Sequence, residues 1–340
     1  MVPRRMASSK PAPSDPAPPS GADDKKPDSW LPATRRAAGQ SEWSWRASGL
    51  LLTMRPHQWV KNVFVLAPVV FAKEILDPQL MMRAGRAFVI FCLLASAVYT
   101  INDLADAASD RQHPLKRHRP IACGRVSRVA ARVLAAVLIA LALALASTGA
   151  AAVLAVAAIY FAMNLAYSIK LKHVAYVDVG IIAAGFVLRV MAGGYATQIQ
   201  VSRYLLVCTA LLALFLGFGK RRHELTGASV SAASKQRASL EAYSAKGLDV
   251  VLAGTGFLTI VTYLLYTLAE HTEAFFRSDA LWLTTAFVVL GVWRFLHLVR
   301  HRPKAESPTQ EMLRDGPFVG IVLLWVMVMM LIVYNLRPGQ

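Results

Sequence analysis

The residues best suited to chemistry lie in one run, Asn102-Asp103-Leu104-Ala105-Asp106-Ala107-Ala108-Ser109-Asp110-Arg111, followed by a basic block, Lys116-Arg117-His118-Arg119. In a helix, Asp103, Asp106 and Asp110 fall at i, i+3 and i+7 and share a face, with Asn102 beside Asp106. Three like charges so placed repel. They become tolerable when a divalent cation neutralises them and itself bridges to phosphate oxygens, which is the usual way Mg²⁺ is held. A solvated helix end would need neither the repeated acidic face nor the separate basic block. The spacing therefore predicts a metal site at Asp103, Asp106 and Asp110 that takes a phosphorylated substrate.

Further polar residues interrupt apolar stretches, where ionisable groups are costly and become functional candidates. Asp178 stands just inside one stretch and Arg189 eleven positions later, about three turns on and on the same face. That is too far for an ion pair along one helix, so each needs a partner elsewhere. Lys61 and Asn62 interrupt an earlier stretch, and Gly219-Lys220-Arg221-Arg222-His223-Glu224 follows a later one. With Lys116, Arg117, Arg119 and Lys172, these cations surround two acidic positions. Such a set suits a pyrophosphate-bearing substrate gripped through a metal. Breaking a C–O–pyrophosphate bond needs charge stabilisation on the leaving group and no nucleophilic side chain.

The elements that must position these groups are membrane helices. Hydrophobic residues make up 56% of the 340-residue chain and charged ones 17%, which is far from a soluble globular composition. The apolar residues form nine blocks, about 58–76, 85–103, 128–147, 150–168, 176–197, 203–219, 248–269, 279–299 and 317–336; crossing a bilayer takes roughly 20 residues. The expectation is an all-α, polytopic bundle of about nine transmembrane helices with a cavity facing the cytoplasm. Loops on one side hold nineteen Lys and Arg against six on the other, which puts the N-terminus and the acidic run in the cytoplasm. The net charge of +17 follows from this bias and from an anionic substrate, and gives no sign of nucleic-acid binding.

Residues 1–48 differ in kind. Eight of the 17 prolines fall there without an apolar run, the composition of a disordered cytoplasmic tail. Residues 49–340 form the membrane domain. Cys92, Cys123 and Cys208 show neither metal spacing nor a pairing logic, and Gly193-Gly194 reads as a close helix contact.

The Asn-Asp-x-x-Asp-x-x-x-Asp spacing, with Arg119-Pro120-Ile121-Ala122 and Gly124 downstream, resembles the first aspartate motif of the UbiA superfamily of intramembrane prenyltransferases. Within it the chain is most similar to the decaprenyl-phosphate phosphoribosyltransferases. That similarity rests on Arg55-Pro56-His57-Gln58-Trp59-Val60-Lys61-Asn62 and on Asp110-Arg111-Gln112-His113-Pro114-Leu115-Lys116-Arg117. Tyr167-Ser168 with Leu171-Lys172, Asp178-Val179, Arg189 with Ala192-Gly193-Gly194, Gly219-Lys220-Arg221 with Glu224-Leu225, and Ser239-Leu240-Glu241-Ala242-Tyr243 extend it.

The resemblance implies a UbiA-like bundle in a bacterial plasma membrane. It implies Mg²⁺-dependent transfer of 5-phosphoribosyl from phosphoribosyl pyrophosphate to a decaprenyl-type phosphate, releasing pyrophosphate, for cell-wall arabinan or a related ribose-derived glycan. Asn102, Asp103, Asp106 and Asp110 would hold the metal. Lys116, Arg117, Arg119, Lys172, Lys220 and Arg221 would meet the donor's phosphate groups, Tyr167 would join the binding set, and Lys61, Asn62 and Arg189 would meet the lipid phosphate or the ribose phosphate. Asp178 is left two roles, a second metal or the ribose hydroxyls. The chain offers one clear carboxylate there, where aromatic-prenylating relatives carry an Asp-x-x-x-Asp pair, and this argues against a long prenyl diphosphate donor. Two other readings stay open: transfer of a prenyl group from a prenyl diphosphate to an aromatic or haem acceptor, and transport of an anionic lipid or metabolite. Transport would normally come with an internal repeat, and the acidic run occurs once.

Overall fold

The computed structural model describes residues 41–112, 116–228, 242–301, 312 and 314–334, and these are almost entirely helical. Ser41 caps α1, Glu42–Met54, which turns at Arg55 into a 3₁₀ helix, Pro56–Leu66, and a short α2, Ala67–Phe71. Then come α3, Pro78–Gln112; α4, Arg128–Ser147; α5, Ala151–Ile169; α6, Val177–Thr197; and α7, Arg203–Ala228. The chain ends in α8, Ala245–Thr267; the short α9, Glu270–Phe276; α10, Thr285–His301; and α11, Gly316–Val333.

Among the described residues seven helices are long and apolar enough to cross a membrane, and α11 carries a shorter apolar stretch, Gly316–Ile332. Each of eight predicted blocks coincides with one of these. The block at 58–76 is the exception, since Pro56, Lys61 and Asn62 leave no continuous apolar α-helix and the chain takes the 3₁₀ form instead. The boundary at residue 48 also shifts, because residues 42–48 are the first turns of α1. The proposed tail over residues 1–40, the motif positions 113–115 and the match at 239–241 lie outside the described residues.

Small residues let α3 and α4 pack closely. Ala131, Ala135, Leu138, Ala142 and Ala146 form the buried stripe of α4, while Val129, Val133, Val137 and Leu141 on its other side are exposed. Exposed valine and leucine at helical spacing are what a lipid-facing surface requires. With 35 residues, α3 is about 52 Å long and outruns a hydrocarbon core of about 30 Å. Its C-terminal turns therefore carry the acidic run out to the membrane surface.

The 3₁₀ helix is pinned between α3 and α6. Trp59 donates to Ser96 Oγ at 3.0 Å, and that hydroxyl donates to Met54 O. On the α6 side, a Cβ at Gly193 would lie 1.9 Å from Val65 O, so only glycine admits the 3₁₀ backbone there. Gly193 follows Arg189 by one turn, and this contact sets Asn62 against Arg189.

Candidate active site

The acidic run stays helical, and each of its carboxylates meets a cation. Asp103 is buried and faces Arg55 Nη2 at 2.6 Å and Arg119 Nη1 at 3.1 Å. The same Arg119 nitrogen donates to Asp110 Oδ2 at 2.7 Å, so one guanidinium bridges two carboxylates two turns apart. Lys172, from the connection between α5 and α6, pairs with Asp106 at 3.1 Å. Three negative charges are thus balanced by three positive ones. Asn102 is half-buried beside them.

Among the described residues no three His, Cys, Asp or Glu side chains converge as a metal requires. The reason is visible: Arg119 stands between Asp103 and Asp110, and Lys172 holds Asp106. The donor chemistry nonetheless fits a hard divalent cation, with three carboxylates and an amide oxygen along adjoining faces of α3.

Arg55 is a site residue that the sequence reasoning did not single out. It ends α1 in the left-handed region, φ 53° and ψ 58°, a conformation that costs a non-glycine residue roughly 1–3 kcal/mol and often marks a functional site. The turn lays its guanidinium over the Tyr99 ring, 5.1 Å from the centroid, as well as against Asp103.

A second group lies on the 3₁₀ helix and α6. Arg189 is buried and donates to Asn62 Oδ1 and Tyr160 OH, each at 2.7 Å, with its cation over the Tyr160 and Phe186 rings. Asn62 in turn donates to Cys92 Sγ. Lys61 faces the like charges of Arg189 and Arg55. Among the described residues, neither Lys61 nor Arg189 pairs with a carboxylate. Arg189 is buried and Lys61 half-buried; a buried cation without a counter-ion is unfavourable, and the two together can attract an anion.

The third group departs from expectation. Asp178, in the first turn of α6, has no exposed surface. Its Oδ1 accepts from Tyr243 OH at 2.7 Å and from Val179 N at 2.8 Å. Its Oδ2 meets Arg221 Nε at 2.6 Å, a charge contact whose N–H is not aligned as a hydrogen bond. Arg221 also pairs with Glu224, and Tyr243 OH accepts from Tyr176 N. Burial, and after it the hydrogen bond to Asp178, hold the Tyr243 phenol above its ordinary range. Asp178 and Arg221 therefore tie α6, α7 and the start of α8 together, and their oxygens and nitrogens are committed to one another. Tyr167 is half-buried within reach of the Arg221 charge. Lys220 lies 4.0 Å from Glu224, Lys116 is half-buried, and Arg117 is exposed with Nε donating to His118.

Beyond Lys61, the 3₁₀ helix turns apolar and lines a cavity of about 610 Å³. Val63, Phe64, Phe71, Phe215, Trp325 and Met329 are among its walls. No carboxylate of the acidic run reaches it. The acidic run and the apolar cavity are thus apart, and the 3₁₀ helix leads from Arg55, beside Asp103, to the cavity wall.

Residues 63–312 match the model of the UbiA prenyltransferase family. The chain belongs to the UbiA prenyltransferase family. It is 34% identical to a decaprenyl-phosphate phosphoribosyltransferase of Corynebacterium glutamicum over 85% of this chain and 87% of that one. To the enzyme of the same name from Mycobacterium tuberculosis it is 38% identical, over 82% and 92%. The solved structure of a UbiA homolog from Archaeoglobus fulgidus bound to GPP and Mg²⁺ superposes with a TM-score of 0.64 at 17% identity, covering 84% of this chain and 99% of that one. The fold is therefore that of UbiA proteins.

Proposed function

We propose that this membrane enzyme transfers 5-phosphoribosyl from phosphoribosyl pyrophosphate to decaprenyl phosphate, as the names of its relatives describe. One observation supports this reading above the prenyl-transfer alternative: the uncompensated cations Lys61 and Arg189 next to the carboxylate cluster. A prenyl diphosphate and a neutral aromatic acceptor bring one anionic group. Phosphoribosyl pyrophosphate and a lipid phosphate bring three, and need cations beyond those around the pyrophosphate.

In this reading Asp103, Asp106 and Asp110, with Asn102, hold Mg²⁺, which when bound neutralises the pyrophosphate leaving group. Arg119, Arg55 and Lys172 turn from the carboxylates to phosphate oxygens. The C1–O bond to pyrophosphate breaks as a lipid phosphate oxygen attacks C1 from the opposite face, inverting that carbon. The attacking oxygen is already anionic near neutral pH, so no side chain has to remove a proton. Lys61 and Arg189 orient the remaining phosphate. The apolar cavity takes part of the polyprenyl chain, its 3₁₀ wall bringing the head group to Lys61. The bundle lies in a bacterial plasma membrane with the acidic run on the cytoplasmic side, where the donor is made, and the product serves an arabinan or other ribose-derived glycan.

The test is pyrophosphate release by purified protein supplied with Mg²⁺ and phosphoribosyl pyrophosphate. Release that depends on added decaprenyl phosphate supports the reading. Release only from a prenyl diphosphate with an aromatic acceptor would replace it.

A further inference from the structure

Asp103 and Asp110 are nearly enclosed, with side chains 2% and 4% exposed, while the arginines covering them are 23% and 26% exposed. Arg55 and Arg119 therefore stand between the carboxylates and solvent. One nitrogen, Arg119 Nη1, lies within 3.1 Å of Asp103 Oδ1 and 2.7 Å of Asp110 Oδ2. Mg²⁺ takes carboxylate oxygens at about 2.0–2.1 Å. It cannot use both oxygens while the guanidinium stays between them, because the two cations would be in contact and repel.

We infer that Arg119, assisted by Arg55, is a resident counter-ion that makes divalent-metal binding depend on pyrophosphate. Without a phosphorylated ligand, a metal entering the cluster strips the guanidinium of its two partners and offers none in return. With pyrophosphate present, the guanidinium exchanges carboxylate for phosphate oxygens, a partner whose geometry suits it equally well. Metal and pyrophosphate then bind as a pair, and each raises the other's affinity by the same factor. Arg119 acts through the carboxylates in the free protein and is a positioning residue there. Toward pyrophosphate the guanidinium can present two N–H groups side by side, where a lysine offers a single point of charge.

The inference rests on the proposed reading of Asp103 and Asp110 as metal donors, and not on which group the pyrophosphate carries. The test is therefore metal binding without turnover. Full-length protein in detergent is titrated with Mn²⁺ in place of Mg²⁺, with and without inorganic pyrophosphate, at matched free Mn²⁺. Wild type should hold Mn²⁺ at least about tenfold more tightly with pyrophosphate, within the usual range of coupling between sites. Arg119→Gln should hold Mn²⁺ alone about 5- to 50-fold more tightly than wild type and gain under about threefold from pyrophosphate. Arg128→Gln, which removes one exposed charge from the first turn of α4, should behave as wild type. Should Arg119→Gln fail to fold, Arg119→Lys and the wild-type titration still decide: the lysine variant should show a smaller pyrophosphate effect. Wild-type Mn²⁺ affinity independent of pyrophosphate would overturn the inference, as would an Arg119→Gln protein that binds Mn²⁺ no better than wild type. If coupling holds but phosphoribosyl pyrophosphate is not turned over, the proposed function fails and the inference stands.

Discussion

The clusters around Asp103 and Asp178 are made of the same parts, carboxylates against arginines, yet they differ in access. Asp178 and Arg221 are fully enclosed, with a tyrosine and a backbone amide filling the remaining positions. Around Asp103 the carboxylate is buried but its partners, Arg55 and Arg119, keep about a quarter of their surface in solvent. The closed pair joins helices, whereas cations with a free side have room to change partners. Exposure of the cation, rather than of the acid, is what separates the two clusters, and in the proposed function it assigns phosphate to the first and helix anchoring to the second.

That contrast can be broken by mutation, beginning with the largest effect. Asp178→Asn leaves Arg221 partly uncompensated in a dry position and should lower stability by about 3–5 kcal/mol, read as a fall in the thermal midpoint in detergent. The protein that remains folded should keep both KM values within a few-fold. Normal stability with lost activity would move Asp178 into the chemistry. Asp103→Asn should instead leave the melting midpoint close to wild type and reduce kcat by about 10²–10³, the scale of one lost electrostatic contact to a leaving group. Arg189→Gln should raise the KM of one phosphorylated substrate by about 10- to 150-fold, from a charge-assisted contact of roughly 1.5–3 kcal/mol; an equal rise for both would mean that it reads neither phosphate separately. Deleting residues 2–40 should change turnover by no more than a few-fold, since that composition does not build a packed core, and expression with turnover lost a hundredfold would contradict this.

The acidic run was legible because its spacing alone sets three carboxylates on one side of a helix, and α3 is helical through Asp110. The separate partners needed by Asp178 and Arg189 were legible too, from eleven residues of helix between them. Which partners they found was not. Asn62 and Tyr160 reach Arg189 from two other segments, and the register follows from a backbone contact at Gly193. Arg55 was legible as part of a motif but not as a partner of Asp103, because its place depends on a left-handed turn at the end of α1, a helix hidden by the proline-rich run before it. Asp178 stood out because an acid inside an apolar block is costly; the fold meets that cost with Arg221 and Tyr243, whose approach only tertiary packing reveals.

The central claim is that the cations beyond the carboxylate cluster serve a phosphate-bearing donor and a lipid phosphate. Its most direct test offers purified protein Mg²⁺, decaprenyl phosphate, an aromatic acceptor, phosphoribosyl pyrophosphate and geranyl diphosphate together, and identifies the lipid products by mass spectrometry. The account predicts decaprenyl phosphate enlarged by one phosphoribosyl group and no prenylated aromatic. A prenylated aromatic as the sole product would contradict it.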